Sequence, residues 1–334
     1  MSERVTAVDV ARVAGVSQAT VSRILAGKTN FSQKTIDCVK NTAEELGYKR
    51  NVLASSLSSN RTNIIAVVSV KSENPFVHET LSQLVQYLRK EKKQVLYIET
   101  EEEHKKYMEE VIDDVASYQV DGVIVLYAVI SKEVRDFIRK IKMPVVIFNR
   151  AFIHENMFSV CSDNSEACRS LANYLVEKGH RSFGTITGPG IVLTEGSTRT
   201  KSFLGRLAEL GYTDTKLVYC ESYSYYEGAR AAQELMTGET HPTAVFCDSD
   251  ALAIGAMCFI RNELGLCVPQ DVAVVGFDNI QMSAWNVFDL TTFEHDNIGM
   301  IHAAVQYIDD INNGVERTDK IRLFPCRLVE RGST

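Results

Sequence analysis

Two groups of residues in this 334-residue chain have the types and spacing to do chemistry. The first is Gln18, Ala19, Ser22 and Arg23, near the start of a short helical stretch. Gln can pair bidentately with adenine and Arg with guanine, Ala can touch a thymine methyl, and Ser or Thr can hold phosphates, so this face could read bases. The second group lies at the ends of apparent strands: Asn149-Arg150, Asp248-Ser249-Asp250 and Gly276-Phe277-Asp278-Asn279. Amides, carboxylates and a guanidinium converging on a cleft can hydrogen-bond a neutral, hydroxyl-rich molecule from several sides, which makes a sugar the natural ligand. Each strand-end residue has a competing role as the cap of the next helix, and the competition is closest for Asp250.

Catalysis is poorly supported by comparison. The chain has no G-x-S-x-G, no G-x-x-x-x-G-K-[ST] and no H-E-x-x-H. Gly188-Pro189-Gly190 lacks the following Lys of a phosphate loop and reads as a turn, and Asp248 with Asp250 has no partnered His. The eight cysteines form no C-x-x-C pair and read as small buried hydrophobes in a reducing compartment. The expectation is therefore a binding protein that is not an enzyme and takes no cofactor or metal.

The elements that must position the base-reading group are three short helices. Thr6 with Asp9 is a variant capping box, and Ala7, Val10, Ala11 and Ala14 form one stripe before Gly15 ends the helix. Ser17 restarts the chain as an N-cap, and Val21, Ile24 and Leu25 face inward, leaving the polar group outside. Phe31 and Ile36 staple a third helix with Val39, Ala43 and Leu46 inside, closed by Gly47, with Tyr48 packing beneath. Three such helices need one another to bury a core, so this is a small all-α helix-turn-helix head. The stretch around 55–63 is rich in Ser and Asn and reads as a linker that can be disordered without a partner.

Past Arg61 apolar strands alternate with amphipathic helices, the mark of a parallel α/β sheet. Strands are expected at 64–70, 95–99, 122–127 and 145–149 in a first lobe, and at 183–187, 217–220, 244–248 and 272–277 in a second. Helices of the second lobe fall near 165–178, 199–210, 226–236 and 251–264, with a last helix near 298–312 and a segment 321–329 returning to complete both lobes. Two such lobes imply a cleft at the carboxyl ends of both sheets.

The run VARVAGVSQATVSRIL, with Gly47-Tyr48 and the spacing Asn51, Ala54, Leu57, resembles the lactose-repressor/galactose-repressor family of transcription factors, and the similarity runs to the C-terminus. The resemblance implies a head at 1–50, a hinge at 51–62 and an α/β bilobed, periplasmic-binding-protein-like (type I) core at 63–334. The lobes would be about 63–162 with 291–320, and about 163–290 with 321–334. It implies DNA contacts from Thr6, Ser17, Gln18, Ala19, Thr20, Ser22, Arg23 and Asn30, and from Asn51, Ala54 and Leu57, with Leu57 wedged into the minor groove. It places Arg199, Asn149, Ser249 and Asp278 at effector-contacting positions and Tyr223 where an aromatic stacks on the ligand. Val70 and Phe76 complete that set, with Asn74-Pro75-Phe76 walling the far side of the pocket. His295 stands where sugar-binding members often have Gln, Ser202 where they have Gly, Arg50 where many have Pro, and Ser55 where many have Arg.

Charge agrees with a split role. The first 62 residues carry nine Lys and Arg against five Asp and Glu, so the head is +4 while the remainder is −11 within a net −7. A basic head on an acidic body suits a protein that meets phosphate at one end only. No apolar run reaches membrane-spanning length and the start MSER has no signal-peptide core, which implies the cytoplasm and no membrane partner. The expected partners are double-stranded, pseudo-palindromic operator DNA, a second copy of the chain, and an effector. The homodimer contacts would involve residues 77–92, 251–264 and the strand at 272–275. The effector is expected to be a sugar or sugar phosphate, with Arg199 available for an anionic group. A purine or nucleoside is the alternative, and a stand-alone solute-binding protein is a further one.

Overall fold

The computed structural model describes residues 5–25, 27, 30–48, 61–100, 111, 115, 117–127, 143–151, 157–189, 195–238 and 240–334, and it divides into two compact units, 1–62 and 63–334. In the first unit, α1 (Ala7–Ala14), α2 (Gln18–Leu25) and α3 (Gln33–Glu45) bury Val10, Val21, Ile24, Val39 and Ala43 against one another. Ile36, Leu46, Phe31 and Tyr48 pack around that core half-buried. Gly15 at φ +66° makes the left-handed turn between α1 and α2, a conformation that costs a side chain with Cβ.

The second unit holds two parallel sheets. The first runs β1 (Ile64–Val70), β2 (Gln94–Thr100), β3 (Gly122–Leu126), β4 (Val145–Phe148) and β5 (Met157–Ser162), in the order β2-β1-β3-β4-β5, and a late strand, Ile321–Phe324, pairs with β5 to complete it. The helix α4 (Pro75–Lys90) follows β1, capped by Asn74, whose side chain accepts from the Phe76 amide, with Pro75 in the first turn. The second sheet has the order β7-β6-β8-β9, from β6 (Phe183–Thr187), β7 (Thr215–Tyr219), β8 (Ala244–Cys247) and β9 (Ala273–Val275). Helices α5 (Asn164–Glu177), α6 (Glu195–Glu209), α7 (Tyr225–Leu235) and α8 (Asp250–Asn262) connect and cover it. A two-stranded antiparallel ribbon, β10 (Thr292–His295) with β12 (Cys326–Val329), extends this lobe, and α9 (Asn297–Asn312) returns to the first. The late strand of the first sheet is β11.

The lobe boundaries differ from those expected at 291 and 321. Phe293 packs in the second-lobe core, stacked on Phe277 at 5.2 Å, while Met300, Ile301 and Ile308 of α9 bury in the first-lobe core. Ile321–Phe324 is registered on Ser159–Ser162 and so belongs to the first lobe. The chain thus crosses at 162–164, 295–297 and 324–326. Any rotation between the two packed sheets would have to be absorbed at these crossings, where the chain passes between them. The strand at 272–275, expected at a dimer contact, is fully buried within this chain, its edge closed by the hydrogen bond from the Val274 amide to the Ser333 carbonyl. The cysteines also divide: Cys161, Cys168, Cys220 and Cys247 are buried, whereas Cys38 and Cys267 are exposed.

Candidate functional site

In the head, local sequence fixes each helix start. Thr6 Oγ1 accepts from the Asp9 amide while Asp9 Oδ2 accepts from the Thr6 amide at 3.0 Å, and these bonds to Thr6 hold the Asp9 carboxyl below its ordinary value. Ser17 Oγ accepts from the Thr20 amide at 3.1 Å and bonds the Thr20 hydroxyl at 2.9 Å. With Val21 and Ile24 inward, Gln18, Ala19, Ser22 and Arg23 are left exposed, paired one helical turn apart as 18 with 22 and 19 with 23. Asn30, Thr6 and Ser17 are also exposed, and Thr20 half-buried. Asn51, Ala54 and Leu57, like Arg50, Ser55 and the side chain of Val70, lie outside the described residues.

Of the expected effector residues, the core brings Arg199, Asp278, His295 and Phe76 together at one interlobe cluster, organised by Arg199 in the first turns of α6. Its guanidinium is buried and donates from Nε to Asn164 Oδ1 at 2.8 Å, and from Nη1 to the Asp248 carbonyl at 2.7 Å and to Asp278 Oδ1 at 3.2 Å. It lies 3.8 Å over the Phe277 ring, and Nη2 is 3.4 Å from His295 Nε2. A cation this deep is stable only with such a set of partners. The group expected to be available for an anion is therefore already neutralised by Asp278.

His295 ties this cluster to the first lobe. Its Nδ1 is 2.6 Å from Ser162 Oγ and its Nε2 3.2 Å from Asp278 Oδ1, while its ring stacks on Phe76 at 4.5 Å and meets Phe277 edge-on. Burial, and the Arg199 charge, hold its pKa below the ordinary histidine value, although the bond to Asp278 pulls the other way. Two more bonds cross between the lobes: Asn74 Nδ2 donates to Asp278 Oδ2 at 3.5 Å, and the Gln281 amide donates to Glu79 Oε1 at 3.0 Å.

Other expected residues have structural duties. Asp250 accepts from the Ile280 amide and from the Ser283 and Thr292 hydroxyls, at 2.9, 2.6 and 2.6 Å, and burial pushes its carboxyl up to about 7. These bonds organise the loop after Asp278. Ser249 Oγ caps α8. Asp248 accepts from Thr187 Oγ1 and the Gly188 amide, with its carboxyl raised by burial to about 6. The hydroxyl end of the Tyr223 ring lies against Gly188, where an added Cβ would come within 2.2 Å of it. Asn149 is 2 % exposed at the end of β4.

An open cavity of about 500 Å³ adjoins the network through Phe76, Asp278, His295 and Asn297, and continues past Glu79 to Glu294. Arg199, Asn149 and Tyr223 do not line it, so it reaches the charged cluster from the side of the crossing strands. Sequence reasoning missed Asn164, Ser162 and Phe277 as partners of the cluster. Asn164 and Ser162 bracket the first crossing, at the end of β5, a strand not recognised in the sequence. Phe277 was noted only as a strand end.

Residues 6–51 match the model of bacterial regulatory proteins of the lacI family, and residues 172–334 match a periplasmic binding protein-like domain. The HTH-type transcriptional repressors PurR of Pectobacterium carotovorum and Pectobacterium atrosepticum are each 30 % identical to this chain, over 97 % of it and 95 % of their own length. Among solved structures, the lac repressor dimer bound to operator and an anti-inducer superposes with a TM-score of 0.87 at 22 % identity, covering 99 % of both chains, a likeness of fold. The transcriptional regulator CelR in complex with cellobiose has a TM-score of 0.72 at 26 % identity, covering 99 % of this chain and 100 % of that one.

Proposed function

The chain belongs to the LacI family of bacterial regulatory proteins, and from that premise we propose that it is a DNA-binding repressor whose affinity for its operator is set by a small molecule held between the lobes of its core. The observation that carries the effector part is the Arg199 cluster. One buried guanidinium gathers Asn164, Asp248, Asp278 and His295, and through His295 and Ser162 it is tied across the hinge to the other lobe. A ligand that touches Asp278 or His295 has different contacts in open and closed arrangements, and a ligand shifts an equilibrium only by that difference.

On the head, Gln18, Ala19 and Arg23 would read base edges while Ser17, Ser22 and Thr6 engage phosphates. One head covers a half-site, so a homodimer is the working unit. Exposed Trp285, Val287 and Leu264 beside α8, with Arg261 Nη1 bonded to the Val287 carbonyl, offer an apolar face for the second copy, together with the outer face of α4. A saccharide effector is supported by the similarity to a regulator solved with cellobiose. A purine or nucleoside is the second reading, favoured by Tyr223, whose ring could stack on a base.

A mobility shift with DNA from upstream of the gene, at fixed salt, tests the reading. The full chain should retard it as a dimer, and a compound that raises the melting temperature should change the retardation. Sedimentation as a monomer with DNA present, or no retardation at low salt, would remove it.

A further inference from the structure

Past the head the chain is acidic, yet one stretch of it runs the other way. Arg89-Lys90-Glu91-Lys92-Lys93 carries four cations in five residues, a density that no other five-residue window of the chain reaches. It closes α4 at the amino-terminal edge of the first sheet, the edge away from the strand ends that hold the cleft residues. The head is attached at that same edge. The Gln94 amide, directly after the run, donates to the Asn63 carbonyl at 2.7 Å, and Ile64 opens β1 opposite Gln94.

The way the helix closes sets Lys92 apart. Its amide donates to the Arg89 carbonyl at 3.0 Å and the Lys93 amide to the Leu88 carbonyl at 2.8 Å, the pair of bonds that finishes a helix on a left-handed residue. The same pair closes α3, α5, α6 and α9, and there the left-handed residue is glycine each time: Gly47, Gly179, Gly211 and Gly314. In α4 it is Lys92, at φ +57°, a conformation that a residue with Cβ adopts only with a loss of stability. Fold stability alone would favour glycine. Arg89 and Lys90 can offset the helix dipole, but that use is open to any cation in the last turn and does not call for one at the left-handed position. Of the carboxylates beside the run, Asp309 is taken by Lys93 at 2.6 Å and Asp121 accepts from the Asn63 amide at 3.0 Å. Arg89, Lys90 and Lys92 are exposed and have no ion pair among the described residues, with only Glu91 to offset them within the run.

We propose that Arg89, Lys90 and Lys92 form a basic lip on the first lobe that lies against the phosphate backbone of operator DNA, so that the core as well as the head contacts DNA. This rests on the repressor reading above and adds a surface to it. The partner is a polyanion because Lys90 and Lys92 are point charges on flexible stems, suited to phosphates and without the fixed geometry that reads bases. It is the DNA held by this chain's own head because residue 62 tethers the head to this edge, and a tether raises the local concentration of phosphate there. The lip then contributes affinity and its salt dependence, and no base preference.

The test is the affinity of the full chain for duplexes from upstream of the gene across a salt series, with melting temperature measured alongside. Wild type, Lys92→Gly, Lys92→Arg, Lys90→Gln and Arg23→Ala are compared. Each lost phosphate contact lowers the slope of log affinity against log salt by about 0.9. Lys92→Gly should show that loss once per protomer, keep the wild-type base preference, and melt no lower than wild type, because glycine is the residue this turn favours. Lys90→Gln should lose slope in the same way, and Lys92→Arg should keep it. A wild-type slope in both Lys92→Gly and Lys90→Gln, or a loss that Lys92→Arg shares, would overturn the proposal. So would a clear fall in melting temperature in Lys92→Gly, which would make Lys92 a part of the fold. If Arg23→Ala alone changes operator binding, the repressor reading stands and the lip falls. If wild type binds no duplex even at low salt, both fall.

Discussion

The head and the core hold the polar groups proposed to meet DNA and effector in opposite ways. In the head, Gln18, Ser22 and Arg23 stand in solvent on a helix whose stability comes from Val21, Ile24 and the cap at Ser17. In the core, Arg199, Asp278 and His295 are buried and satisfied by one another. The surface arrangement separates the proposed base contacts from folding, so a residue on that face can change without cost to the head. The buried arrangement joins them, because each member of the cluster is the solvation of the next. A switch needs the second kind: a ligand can move the lobes only through groups on which the arrangement of the lobes already depends.

The sharpest break in that comparison is Arg199→Met. It strands the Asp278 carboxylate at 2 % side-chain exposure, and losing one partner of a buried pair costs about 3–5 kcal/mol, read by urea unfolding. Adding Asp278→Asn should recover part of the loss, whereas simple additivity would mean the two are not coupled. Arg23→Ala, by contrast, should cost about 1–3 kcal/mol of discrimination at one operator base pair. Its unfolding free energy should stay within about 0.5 kcal/mol of wild type, and a larger drop would show that Arg23 holds the head together.

How far each region could be read from the sequence follows the same division. Thr6, Asp9, Gly15 and Ser17 act on neighbours three or four residues away, so the head's helices and its outward face were legible. The strands of the two parallel sheets were legible as apolar runs, except Met157–Ser162, where Ser159 and Ser162 interrupt the run, and the short β10 of the ribbon was not legible. Candidate residues of the cluster were visible as strand ends, but not their pairing. Arg199 finds Asn164 from 35 positions away and His295 from 96, and no local pattern records such distances. The lobe boundaries failed for a related reason: only hydrogen bonding to Ser159–Ser162 shows that Ile321–Phe324 belongs to the first sheet.

Smaller effects refine the comparison. Thr6→Ala removes the capping box and should cost the head about 1 kcal/mol, visible as a lower melting temperature for the first unit alone. His295 supplies a pH signature that the head lacks. Its pKa is lowered in the folded core, so the stability it contributes is present above the unfolded value of about 6.5 and is lost as pH falls through the folded one. His295→Gln should flatten that acid limb of the melting profile, and an unchanged limb would mean another group carries it.

The central claim is that the buried interlobe cluster and the exposed reading helix are two ends of one equilibrium. Its most direct measurement is a pair of titrations with a probe that stabilises the core: operator affinity with and without the probe, and probe affinity with and without operator. Coupling through shared states requires the same factor in both, and that equality, abolished in Asp278→Asn, is the result expected here. A probe that binds the cleft and stabilises the core while leaving operator affinity unchanged would contradict the account.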